Sequence, residues 1–153
     1  MLLRLLLVAN LGVAAVLTGL IWTVQLVHYP GLALVGKADF ARYHAAHTAR
    51  MGLLAGPLMV AELALALWLA GAGRAALPYG AGWWSLVLVL ATWAVTFFVS
   101  VPFHNRLAAS GYDYIVIDGL TRTNWLRTAA WTLRLGLLLW LVFRGLGIRD
   151  LGA

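Results

Sequence analysis

The chain of 153 residues is 63% hydrophobic and 10% charged, whereas soluble domains carry about 25% charge, so a water-soluble globule is excluded and the chain belongs in a lipid bilayer. With 0 cysteines, disulfides, thiolate metal sites and iron–sulfur clusters are excluded, and any metal must be held by nitrogen or oxygen. The net charge of +6 comes from 11 Lys and Arg against 5 Asp and Glu, scattered at span ends without a basic run; this argues against a nucleic-acid partner, and no glycine-rich nucleotide motif is present.

At about 20 apolar residues per crossing, the length suits one domain of four spans, read at about 3–28, 50–70, 84–102 and 124–144. The first run, broken by Arg4, Asn10, Thr18, Thr23 and Gln25, exceeds the roughly 7–15 apolar residues of a signal peptide and reads as an uncleaved span closed by Pro30 and Gly31. The second lies between Arg50 and Gly71 and ends in the Gly- and Pro-containing stretch 71–82. The third begins at the interface anchors Trp83 and Trp84 and ends at Pro102; Trp68, Trp125 and Tyr79 also fit aromatic belts. The expected fold class is therefore all-α, an integral membrane four-helix bundle with both termini on one side.

The opposite side carries the long connections 30–50 and 104–125, read as amphipathic segments. Within the second, residues 112–118 read as an interfacial segment with Gly111 and Gly119 as its breaks. Lys37, Arg42, Arg50, Arg106, Arg122 and Arg127 lie on that side, against Arg4, Arg74, Arg144 and Arg149 on the other. The positive-inside rule then puts the long connections in the cytoplasm of a bacterial inner membrane. A shift of 72 residues aligns Pro30 with Pro102, Arg50 with Arg122, Glu62 with Arg134 and Trp68 with Trp140, which suggests a 2+2 internal repeat about the membrane normal.

Ionisable groups in hydrocarbon face the bundle interior, as structural pairs or as functional paths. Glu62 lies twelve residues beyond Arg50 and Arg134 twelve beyond Arg122, so each sits roughly 18 Å in from the same face. A buried Glu62–Arg134 ion pair is expected. Asn124, Arg127, Trp131 and Arg134 share one helical face, which should line the interior. Gly52 and Gly56 have the spacing of a close helix contact, within the chain or in a homo-oligomer.

All four histidines fall on the side of the long connections: His28, His44, His47 and His104. His44 and His47, at i, i+3 on a helix, would share a face, as two ligands of one ion must. Taken singly, each suits an ordinary hydrogen-bonded role at the interface. Together they admit a nitrogen-rich site for Zn, Cu or Fe, acid–base chemistry on an organic substrate, or an axial haem pair with Arg127, Arg50 or Arg122 on the propionates. Gln25, Asn124 and Arg127, at similar depth, would orient an anionic or phenolic ligand, and Glu62–Arg134 would floor the cavity.

Trp22, then His28-Tyr29-Pro30-Gly31-Leu32, Phe40, Arg50 and Pro57-Leu58-Met59, with Pro102 and Asn105 in the second half, resemble small four-helix membrane proteins of the anthrone-oxygenase-like group. The Tyr-x-Pro-like end of the first span is more faintly similar to haem-binding membrane protoporphyrinogen oxidases. That family carries an early histidine and a later lysine, whereas residues 1–27 contain no His and Lys37 is the sole lysine, which leaves haem the second candidate. The resemblance implies a membrane oxidoreductase, oxygenase-like, acting on a lipid-soluble or aromatic small molecule. The alternative is a non-catalytic module, either a small transporter subunit or a ligand- or haem-binding protein.

Overall fold

The computed structural model describes residues 2–71 and 77–145; Arg74 and Arg149, counted above for orientation, lie outside them. Four helices are long and apolar enough to cross a membrane: α1 (Arg4–Leu32), α2 (Lys37–Ala70), α3 (Pro78–Ser110) and α4 (Tyr114–Arg144). Each is longer than the apolar run that announces it. The 34 residues of α2 extend to about 51 Å, against a hydrocarbon core of about 30 Å, so its first turns project beyond the apolar slab as helix. The expected amphipathic connections are thereby corrected, since residues 37–50 begin α2 and 101–110 end α3. Residues 114–118 likewise open α4.

Short turns join the histidine ends of the helices. Gly36 supplies an extended residue before α2. Between α3 and α4, Gly111 takes φ 77°, a left-handed backbone suited to glycine. Asp113 then caps α4, its Oδ1 accepting the backbone N–H groups of Ile115 and Val116 at 2.9 and 3.2 Å. Gly111 breaks the chain as expected. Gly119 does not: it lies inside α4, where a Cβ would stand 2.9 Å from the Phe103 ring, so its task is to admit that ring.

Helix α1 packs on α2 and α4, and α3 packs on α2 and α4, giving an antiparallel ring. Apolar side chains such as Leu26, Val27, Leu53, Leu67, Phe98 and Leu133 face outward, as a lipid-facing surface requires. The tight approach between α2 and α3 is made by Gly82, where a Cβ would lie 2.5 Å from the Leu69 carbonyl oxygen. Gly52 and Gly56 have nothing within 4 Å of the corresponding position, so they make no close helix contact within the chain.

The repeat is visible in the backbone. Helix α1 widens into a π-turn at Val24–His28 and α3 into another at Thr96–Ser100, 72 residues apart and each two residues before a proline. Proline has no N–H and crowds the preceding turn, and the wider turn absorbs this defect: Tyr29 N–H bonds to Val24 O and Val101 N–H to Thr96 O. Glu62 and Arg134, also 72 apart, meet each other. Equivalent positions of two related halves can touch only where the relating axis passes, so the pair marks an approximate two-fold axis through the bundle.

That pair is closed to solvent, with both side chains 0% exposed and Arg134 Nη1 donating to Glu62 Oε1 at 2.9 Å. The Trp131 indole N–H reaches both carboxylate oxygens, at 3.1 and 3.0 Å, and Arg134 also donates to Asn10 Oδ1. A buried charge pair is tolerated when further hydrogen bonds support it; Trp131 and Asn10 supply such bonds, while Arg134 Nε and Asn10 Nδ2 find no partner among the described residues.

Candidate functional site: a polar line on the wall of a membrane cavity

A cavity of about 560 Å³ lies between α1, α2 and α3, with α4 behind it. Its deep part is apolar and aromatic, with Leu17, Ile21, Met59, Trp93 and Trp131; the end nearer the histidine face holds Tyr29, His44, His47, His104 and Arg127. The solvent-exposed lining residues, Gly52 and Val60 on α2 and Phe97, Val101, Asn105 and Ala108 on α3, place the mouth between α2 and α3, where the bundle meets lipid. Trp131 is the floor and the Glu62–Arg134 pair lies beneath it, one layer deeper than expected.

The repeat explains why the space exists. Adding 72 to Gly52, Ala55, Gly56 and Met59 gives Asn124, Arg127, Thr128 and Trp131. Helix α4 sends those four larger side chains into the bundle, where all are buried, while α2 offers two glycines, an alanine and Met59 at the matching positions. The small residues of α2 therefore form a cavity wall instead of the expected helix contact.

Along that wall runs a line of hydrogen bonds. Gln25 Nε2 donates to the Thr121 carbonyl at 3.1 Å, and Asn124 Nδ2 donates to Gln25 Oε1 at 2.8 Å. Arg127 Nε donates to Asn124 Oδ1 at 2.9 Å, and its Nη2 to the Tyr29 hydroxyl oxygen at 2.9 Å. The Tyr29 hydroxyl lies 3.1 Å from His104 Nε2, and His104 Nδ1 lies 3.0 Å from His44 Nε2. Because Arg127 is always a donor, the Tyr29 oxygen accepts from it and the Tyr29 proton is free to point to His104, which sets a direction for the line. The Tyr29 O–H donates to His104 Nε2, His104 Nδ1–H donates to His44 Nε2, and His44 carries its remaining proton on Nδ1.

Helical spacing and the π-turns bring these groups together. Gln25 lies within the first π-turn and Tyr29 just after it, both buried. His104 follows the second π-turn by four residues, and His44 reaches it from the second turn of α2, its ring stacked on Phe40 at 5.7 Å.

The other two histidines pair with each other, and His47 also stands 6.3 Å from His104, ring to ring. The His28 and His47 rings are 5.5 Å apart, at a second, smaller hollow that also includes Arg50. Arg122 is elsewhere, bonded to Asp118 at 2.8 Å on the exposed surface of α4. The four histidines thus stand as two adjoining pairs, and among the described residues no three His, Asp or Glu side chains are grouped so as to hold a metal ion. Tyr29, the centre of the line, carried no chemical role in the sequence reading; its signal was a tyrosine immediately before a span-ending proline.

Comparison with protein-family models, with curated proteins and with solved structures gives no match, so the functional reading rests on the site itself.

Proposed function

We propose that the protein is a membrane-embedded oxidoreductase that binds a lipid-soluble, aromatic small molecule in this cavity and exchanges a proton with it through His44, His104 and Tyr29. The observation that carries the reading is the continuous hydrogen-bonded line from Arg127 to His44 on the wall of a cavity open to lipid. A proton leaving His44 Nδ1 for the substrate is replaced in two shifts: His104 Nδ1–H moves to His44 Nε2, and the Tyr29 proton moves to His104 Nε2. The negative charge comes to rest on the Tyr29 oxygen, beside the Arg127 guanidinium, and the reverse sequence returns it. In this reading the facing nitrogens of His44 and His104 pass a proton between them across 3.0 Å. Asn124 and Gln25 fix the Arg127 plane, a supporting part in place of direct contact with substrate.

The resemblance of the first half to anthrone-oxygenase-like proteins points the same way and suggests dioxygen as the oxidant. The test is turnover of a panel of alkylphenols and hydroquinones by protein in lipid nanodiscs under dioxygen, followed by mass spectrometry. Positioned acid–base groups contribute about 10²–10⁴-fold. His104→Gln should therefore lower turnover by that order, and the surface change Arg122→Ala should leave it unchanged. Equal turnover by His104→Gln refutes the relay, and saturable binding without turnover identifies a non-catalytic ligand-binding module.

A further inference from the structure

The hollow beside the main cavity is lined by His28, Tyr43, Ala46, His47, Arg50 and Met51, with a volume of about 200 Å³. We propose that it binds a phosphate-bearing anion, supplied by the headgroup of an anionic phospholipid. This proposal does not depend on the proton line: His28, Tyr43 and Arg50 are absent from the large cavity, and His47 alone lines both.

Three observations carry it. The first is charge without a counterion. Of the described acidic residues, Asp39 is bonded to Arg42, Glu62 to Arg134 and Asp118 to Arg122, while Asp113 caps α4. None lines the hollow. No described residue forms a hydrogen bond with the side chains of His28, His47 or Arg50, in contrast to His44 and His104, which lie within hydrogen-bonding distance of each other, with Tyr29 on the far side of His104.

The second observation is geometric. His28 closes the π-turn of α1, and the ring of His47 lies 5.5 Å from it while stacking on Tyr43 at 6.5 Å with 9° between the planes. Arg50 follows His47 by three residues on α2, one helical turn. A guanidinium and two imidazoles around one concavity match a tetrahedral oxyanion, which takes donors from several directions.

The third is depth. Arg50 lies twelve residues from Glu62, roughly 18 Å along α2. With the buried pair near mid-membrane, that is just beyond the half-thickness of about 15 Å at which hydrocarbon gives way to phosphates. Immediately deeper on the same two helices, Leu26 and Val27 of α1 and Leu54 of α2 are 51–62% exposed. They form an apolar track on which acyl chains would lie below a headgroup held by the basic residues. Basic pockets between spans at this depth recognise anionic lipids in the same way.

The experiment is native mass spectrometry of the full chain released from detergent micelles containing equal phosphatidylglycerol and phosphatidylcholine. The wild type should retain one phosphatidylglycerol in clear preference to phosphatidylcholine. At about fivefold in affinity per Lys or Arg near the membrane surface, Arg50→Gln should reduce that preference about fivefold, and His28→Gln with Arg50→Gln should reduce it further. Lys37→Gln, also basic on the same face, should leave it unchanged. The exposed position of Arg50 makes Arg50→Gln compatible with folding, checked by helical circular dichroism. A third arm adds millimolar inorganic phosphate to the wild type. Undiminished lipid retention supports the headgroup as the source, and displacement by phosphate alone would assign the hollow to a free phosphate and overturn that source. Equal retention of the two lipids, or a preference untouched in the double variant, overturns the site altogether.

Discussion

Removing one member of the Glu62–Arg134 pair should be among the most damaging single changes available in this chain. Glu62→Met leaves a fully buried guanidinium with Asn10 as its remaining partner, and Arg134→Met leaves a buried carboxylate with the Trp131 indole. Breaking a buried pair in this way costs about 3–5 kcal/mol. Replacing both partners removes both charges, so the residual penalty is that of the Trp131 and Asn10 polar groups, about 1–3 kcal/mol each. The double variant should therefore be less destabilised than the sum of the singles by about 4 kcal/mol, a coupling that requires direct contact. Reversing the charges, in Glu62→Arg with Arg134→Glu, should rescue part of the damage, because the two positions are related by the approximate two-fold. Rescue stops short of completion because Trp131 and Asn10 correspond to Met59 and Gly82 on the other half. The assay is reversible unfolding in mixed lipid–detergent micelles, read by helical circular dichroism. Additive single costs, together with a charge-reversed protein no more stable than the worse single variant, would refute the contact as the source of the stability.

Two further predictions concern glycines. Gly82→Ala forces a methyl group to within 2.5 Å of the Leu69 carbonyl oxygen and should cost about 1–3 kcal/mol in the same unfolding assay, whereas Gly56→Ala, with nothing within 4 Å, should be neutral or stabilise by about 0.4–1 kcal/mol; equal effects would show that α2 and α3 do not approach as described. Gly111→Ala must hold an L-residue at φ 77°, which costs on the order of 1–3 kcal/mol, and hydrogen exchange should show its effect as earlier opening of the α3–α4 turn; unchanged exchange there would argue against the left-handed turn.

Much of the fold was legible because a bilayer imposes simple rules. Apolar runs revealed four crossings, and counting residues from Arg50 and Arg122 placed Glu62 and Arg134 at one depth, where they do meet. The inward stripe of Asn124, Arg127, Trp131 and Arg134 followed from helical spacing and the cost of facing polar groups to lipid. Helix ends were less legible: a hydropathy window detects the hydrocarbon slab, and α2 and α3 continue as polar helix beyond it. Gly52 and Gly56 misled for a physical reason, since small residues on one helical face permit either a close neighbour or an open space. The matching positions of α4 distinguish the two, for the space left by one half faces side chains supplied by the other. The histidines were grouped correctly by side of the membrane, but their division into two pairs depends on the π-turn of α1, which carries His28 and Tyr29 in adjacent directions, and no residue pattern in the chain announces that turn beyond the proline after it.

The ion pair on the approximate two-fold has a consequence for how such a bundle can be assembled. Two identical hairpins associating as separate chains would set glutamate against glutamate, or arginine against arginine, at the point where their shared axis crosses the interface. Opposite charges can occupy that point only when the halves differ in sequence. Covalent linkage of the halves thus does more than hold them close: it lets the axis carry a dipole, which fixes one half as donor and the other as acceptor and distinguishes the cavity side of the bundle from its filled counterpart.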